Sequence, residues 1–231
     1  MSIIYINPYR FAAAGPTDPD FANVSLLLHG DGTNGSTTIV DSSSSPKTLT
    51  AVGDAQISTA QSKFGGSSIY FDGSGDYLTI PPSANMSLGT ADFTIELWAR
   101  FNTAVTNGLF QLNSGYLNSQ VRGPAVGIAD TGYWGIYHGT SFLQSSQTPA
   151  LNAWQHVAYV RSSGSTKLYV DGVQILSTVD TTNYADQYFT IGGWYSTLYL
   201  LNGYIDDLRI TKGVARYTAN FTPPTAPFPD A

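Results

Sequence analysis

Few residues in this chain could do chemistry, and their spacing limits what that chemistry is. There is a single glutamate, Glu96, inside the run FTIELWARF from Phe93 to Phe101. Cleaving a glycosidic bond takes two carboxyl groups across the bond, about 5 Å apart when configuration is retained. No second carboxylate follows Glu96 at a spacing of two or four, the spacings that share a strand face. Asp92 lies four residues before it but belongs to the strand's edge. Glu96 is therefore expected to be a polar structural group, paired with Arg100 or with a neighbouring strand. The histidines His29, His138 and His156 fall in no H-E-x-x-H pattern, the chain has no cysteine, and no serine sits in a G-x-S-x-G elbow. Zinc and serine-nucleophile chemistry thus have no support, and the three histidines read as structural. The stretch GDGTNG from Gly30 to Gly35 satisfies G-x-G-x-x-G, but STTIVDSSSSP follows it where a dinucleotide site needs a helix. It reads as a loop between strands.

Aromatic residues are the other candidates. GYWGIYHG places Trp134 and Tyr137 among glycines, and GGWYSTLYL places Trp194 and Tyr195 in a loop. Exposed rings stack on the apolar faces of sugars while nearby Asn, Asp and backbone groups bond the hydroxyls. Large aromatics are also the usual filling of a β-sandwich, and alternation alone does not say which face is wet. Both readings stand at this point: a ligand platform at Trp134, Tyr137, Trp194 and Tyr195, or core.

The element that organises the chain is WQHVAYVRSSGSTKLYVDGVQIL, Trp154 to Leu176. Its apolar residues alternate at the period of a strand, and Asp171-Gly172 is a dipeptide that accepts positive φ at both positions of a type I′ turn, so a hairpin is predicted there. From Val24 onward short β-rich runs alternate with Gly, Asn, Asp and Ser turns, among them STTIV, KTLTAV, SSIYF, GLFQL, SFLQSS and YIDDLRITK. This pattern predicts an all-β, two-sheet antiparallel sandwich. In FTIELWARF, Phe93, Ile95, Leu97 and Phe101 share one face, predicted to be core. Glu96, Trp98 and Arg100 share the other, predicted to line the concave side. GVARYT is expected to make one helical turn before an extended tail, FTPPTAPFPDA, because each proline bars its predecessor from helix.

Three regions follow: an N-terminal arm at 1–21, a domain at 22–217 and a proline-rich tail at 218–231. Prolines among small residues disfavour regular structure in the arm. It either packs loosely on the domain or docks on a partner subunit through Tyr5, Tyr9 and Phe11. A chain of this length buries a sizeable core without staples. Its net charge is −6, and its ten Lys and Arg form no basic run, which sets aside binding to nucleic acid. The opening residues have neither the charged region nor the long apolar stretch of a secretion signal or membrane span.

Three segments together resemble the LamG-like jelly roll of the concanavalin A-like lectin and glucanase fold: SSIYFDGSGDYLTI with FTIELWARF, then W-x-H-V-A-x-V-R leading to LYVDG, then IGG followed by LNGYIDDLRI. They occur in that family's order over roughly residues 22 to 217. The resemblance implies a jelly-roll sandwich. It also implies a comparison with laminarinase-type glucanases, whose E-x-D-x-x-E strand this chain lacks, so a hydrolase is the third choice and no enzyme is expected. Members of the fold hold a structural calcium at the rim, and by resemblance Asp206 is one ligand, with Asp31 of the GDGTNG loop opposite it. Oxygen ligands of this kind suit calcium. The alternative is that Asp206 and Asp207 make polar contacts at a strand end. LLLHGDGTNGSTTIVDSS followed by FDGSGDYL is similar to virion proteins of tailed bacteriophages. That implies a decoration or adhesion protein of the head or tail, assembled in the host cytoplasm. Its partners would be other capsid or tail proteins, a second copy of itself, and a cell-surface glycan. A soluble lectin-like module is the alternative.

Overall fold

The computed structural model describes residues 17–104, 106–113, 121–185, 188–194 and 199–231. Tyr5, Tyr9, Phe11 and Tyr195 lie outside them. After a single 3₁₀ turn at Phe21–Asn23 the described chain is built of strands. In order these are β1 (Val24–Leu28), β2 (Thr50–Val52), β3 (Gln56–Ser58), β4 (Ser68–Asp72), β5 (Tyr77–Ile80), β6 (Phe93–Phe101), β7 (Asn107–Asn113) and β8 (Val121–Ile128). Then come β9 (Trp134–His138), β10 (Ser141–Gln144), β11 (Trp154–Ser162), β12 (Ser165–Val170), β13 (Val173–Val179), β14 (Tyr188–Ile191) and β15 (Asn202–Lys212).

They form two antiparallel sheets. The 8-stranded sheet runs β13-β12-β11-β6-β15-β4-β3 with β1 added on β15, and the 7-stranded sheet runs β10-β9-β8-β7-β14-β5-β2. Alternation along each strand sends one set of side chains between the sheets. From the first sheet these include Phe93, Ile95, Leu97, Val157, Tyr159 and Ile205; from the second, Leu78, Phe110, Val126, Ile136, Phe189 and Ile191. The predicted core face of FTIELWARF is the observed one.

The predicted hairpin is β12–β13. Asp171 and Gly172 have φ of 50° and 77°, as a type I′ turn requires. Ser163-Gly164, with φ of 50° and 74°, makes the same turn between β11 and β12. β15 carries an irregularity between Asp206 and Arg209, with Asp207 at φ 48°. Such bulges bend a strand and re-aim its side chains, which sends these two aspartates to separate partners.

Three local expectations are corrected. STTIV is not a strand: Ser42, Ser43 and Lys47 follow it in a loop whose amides, with that of Leu27, find acceptors other than a ladder. The Asp41 carboxylate takes the N–H groups of Leu27, Ser43 and Lys47 at 3.0, 2.9 and 2.7 Å. GVARYT makes no helical turn, because Thr94 Oγ1 donates to Val214 O and accepts from the Arg216 N–H, holding the segment extended against β6. The outer side of β6 lines no open concavity, because the C-terminal tail covers it. Tyr217 and Phe221 stack at 3.6 Å and 6°, and they pack with Ala158, Val160 and Tyr169. Further on, Phe228 joins Val24 and Leu27.

Candidate ligand-binding face

The outer face of the 7-stranded sheet is built differently. Strand register aligns Thr79, Thr190, Gln111, Ala125, Tyr137 and Phe142 in one row across six strands, all facing away from the core. At one end of the row the floor is glycine. A Cβ on Gly135 would stand 2.7 Å from Phe142 and 3.1 Å from the Trp194 indole, and one on Gly127 would stand 3.1 Å from that same indole. The missing side chains make the bed in which Trp194 lies.

Around Trp194 stand Tyr137 at 5.6 Å, Phe142 at 6.1 Å and Tyr199 at 6.2 Å, each edge to face, with Tyr137 and Phe142 5.0 Å apart. Polar groups edge the cluster: the Tyr199 hydroxyl donates to Asp130 Oδ2 at 3.1 Å, and Thr131 Oγ1 donates to Gln144 Oε1 at 2.8 Å. They enclose a cleft of about 320 Å³, within the size range of small-ligand sites, roughly 300–1,000 Å³. Trp194 is only 2% exposed, whereas Phe142 is 44% exposed. Trp194 is thus the base of the cleft and Phe142 its open ring. The indole Nε1 of Trp194 is buried with no hydrogen-bond partner among the described residues.

Of the aromatic candidates, the structure brings Tyr137 and Trp194 together here. Trp134 is corrected: it points between the sheets, fully buried, edge to face with Phe101 at 5.4 Å, and reaches no ligand. The reason is parity, since Trp134 and Ile136 face the core and Tyr137 does not. Phe142 and Tyr199 were missed. Phe142 sits in SFLQ, opposite Tyr137 in the hairpin pairing, a signal the alternation of GYWGIYH and SFLQ carried.

Glu96 lies on the other sheet. Arg209 grips its Oε1 through Nε at 3.0 Å and Nη2 at 2.7 Å, and the Tyr217 hydroxyl donates to Oε2 at 2.8 Å. His156 Nε2 is 3.3 Å from Oε2, an ion-pair distance without hydrogen-bond alignment. Arg209 and Arg216 both reach Asp18. Burial by itself would raise the Glu96 carboxyl, but His156 and Arg209 outweigh it and hold the group down at about 2. An acid so low, with no exposed surface, neither gives a proton nor meets a substrate at neutral pH. Its partner is Arg209 of the neighbouring strand. Arg100 instead bonds Asn102.

At the rim, Asp206 Oδ2 accepts the amides of Lys63 and Phe64 at 2.6 and 3.1 Å, while Oδ1 is buried without a partner among the described residues. Burial pushes this carboxyl up to about 7, and the nearby charges of Asp207 and Asp31 add to the shift. The Asp31 carboxylate lies where a side chain on Gly65 would collide with it, on the same loop that serves Asp206. A buried carboxylate with an orphaned oxygen, beside a second carboxylate, fits a hard oxygen-seeking cation such as calcium. The described residues hold no group of three or more His, Cys, Asp or Glu side chains able to bind a metal, so further ligands would have to be carbonyls or water. Asp207 turns the other way, to His29 Nδ1 at 2.7 Å and the Phe228 amide at 2.8 Å.

A family model described as the concanavalin A-like lectin/glucanases superfamily matches residues 72–216. No curated protein sequence matches the chain. Among solved structures, the chain is similar to domain 4 of AbnA, a GH43 extracellular arabinanase from Geobacillus stearothermophilus solved in complex with arabinotriose. The TM-score is 0.60 and the identity 17%, over 84% of this chain and 94% of that one. It is also similar to the binding domain of botulinum neurotoxin serotype G, with a TM-score of 0.61 at 16% identity over 84% of this chain. The binding domain of Paraclostridial Mosquitocidal Protein 1 gives 0.58 at 16% over 83%. The chain spans 49% of each toxin domain.

Proposed function

The chain belongs to the concanavalin A-like lectin/glucanases superfamily, and from that premise we propose that it is a non-enzymatic carbohydrate-binding domain, displayed as a decoration or adhesion protein on the head or tail of a tailed-phage virion. The observation that carries the binding half is the cleft in which Phe142, Tyr137 and Tyr199 surround Trp194 beside Asp130 and Gln144. Rings stack on a sugar's C–H face while the polar edge takes its hydroxyls. The non-enzymatic half is supported by Glu96, locked in a buried ion cluster on the opposite sheet. The virion half is supported by the likeness of LLLHGDGTNGSTTIVDSS and FDGSGDYL to phage virion proteins. In this reading the arm, with Tyr5, Tyr9 and Phe11, docks on capsid or tail protein, and particle symmetry brings copies together.

A glycan array tests the binding half: the intact chain binds saccharide, and Phe142→Ala or Tyr137→Ala lowers the signal at least tenfold with an unchanged circular dichroism spectrum. No bound saccharide ends this reading. Co-sedimentation with phage particles, lost on deletion of residues 1–16, tests the virion half. The second reading, a soluble carbohydrate-binding module, is favoured by the likeness to the arabinanase domain, and binding without particle association would select it. Calcium, held by Asp206 and Asp31, would brace the rim by neutralising the two carboxylates. Metal analysis of protein purified without chelator tests this: calcium is expected in the wild type and absent from Asp206→Ala.

A further inference from the structure

We propose that the Trp194 cleft continues into a second cleft beside it, and that the ligand spanning both is an uncharged polysaccharide chain, not a lone sugar or an acidic glycan. This rests on the carbohydrate reading above and makes it specific. The β9–β10 hairpin joins the two spaces. Tyr137 and Phe142 flank it on the Trp194 side, and the residues between them, His138 to Ser141, line a second cleft of about 400 Å³ with Thr181, Thr182 and Asn183. The turn is held against that wall: the Gly139 amide donates to the Tyr184 hydroxyl at 3.2 Å, and a Cβ on Gly139 would stand 3.0 Å from Thr182 Oγ1. The spacing of the two clefts is therefore set by hydrogen bonds and close packing. A single ring fills only one of them.

The chemistry of the second wall is that of hydroxyls and amides. Asp180 at its back is spent inside the fold, accepting from Thr166 Oγ1 and the Tyr184 hydroxyl, both at 2.8 Å, and from the Thr182 amide at 3.1 Å. Asp130 and Asp180 are the only Asp, Glu, Lys or Arg residues among the described lining of either cleft. Of the ten Lys and Arg residues, Arg10 and the Arg122 side chain lie outside the described set, and none of the other eight lines either space. Arg161 is turned onto the carbonyls of Gly89, Ala91 and Thr182. Among the described lining residues a uronate or sulfate would meet the carboxylates of Asp130 and Asp180 and no Lys or Arg, with His138 the one side chain there able to carry a positive charge, on a chain of net charge −6.

The test is calorimetric titration of the full chain with gluco-, arabino- and galacto-oligosaccharides of one, three and six units, and with polygalacturonate and heparin. The expected result is at least tenfold tighter binding of one hexamer than of its monosaccharide, and no binding of the acidic polymers. The double variant Thr140→Ala, Asn183→Ala should weaken the hexamer by about 3- to 10-fold, the worth of one or two hydrogen bonds, and leave the monosaccharide unchanged. The inference is overturned by equal affinity for one and six units, by binding of heparin or polygalacturonate, or by a double variant that binds the hexamer normally. In those cases the carbohydrate reading survives if Phe142→Ala still abolishes binding. Absence of any saccharide binding overturns both.

Discussion

Glu96 has two arginines in its neighbourhood and no solvent, and what holds it is the contact most worth breaking. A buried pair adds little net stability over an apolar replacement, but removing one partner strands the other charge and costs about 3–5 kcal/mol. Arg209→Met should therefore lower the urea midpoint sharply, and Arg209→Met with Glu96→Leu should recover most of it. The pH dependence has a definite sign. The folded Glu96 carboxyl is depressed to about 2 from its usual 4.5. Its contribution, about 3 kcal/mol, is complete above pH 4.5 and vanishes as pH falls through 2. Unfolding free energy measured from pH 5 to 2 should fall for the wild type and stay flatter for Glu96→Gln. At the Trp194 cleft, the atoms nearest a methyl at Gly135 belong to the Phe142 and Trp194 rings. Gly135→Ala should shift the tryptophan fluorescence and weaken saccharide binding while the protein stays folded. Glu96 was legible as a structural group paired with a neighbouring strand, whereas Arg209, 113 residues away, was not legible as its partner. Proximity across a sheet depends on strand order, which local pattern does not encode.

The hairpin β12–β13 does more than set register. Its turn is the dock for the C-terminal tail: the Phe221 amide donates to Gly172 O at 3.0 Å, and Asn220 Oδ1 accepts the Gln174 amide at 2.9 Å. A Cβ at Gly172 would both strain a φ of 77° and run into Phe221 O. Gly172→Ala should cost about 1–3 kcal/mol from the backbone alone and loosen the tail, read as faster hydrogen exchange at residues 217–228. The hairpin was legible because Asp-Gly is one of few dipeptides suited to its turn. The tail's docking was not, since an extended proline-rich segment shows no period that distinguishes a strap from a free end.

For the whole molecule, the two ends of the described residues meet beside the 8-stranded sheet: the Asp18 amide donates to Ala231 O, and Asp18 is bound by Arg209 and Arg216. The Trp194 cleft lies on the outer face of the other sheet. Truncation should respect the contacts of Asp18. Removing residues 1–16 should leave the thermal midpoint within a few degrees of the intact chain, whereas removing residues 1–20 takes Asp18 from two arginines and should lower it well beyond that.

Alternation, turn dipeptides and composition determined by themselves that this protein is two packed antiparallel sheets and that FTIELWARF buries its phenylalanines. Those properties are written in neighbours along the chain, where steric rules act directly. Only the tertiary structure decided that Trp134 is core and Trp194 the base of a cleft. Both are tryptophans beside glycines, and what separates them is the face of the sheet each one meets, fixed by pairing between strands distant in sequence.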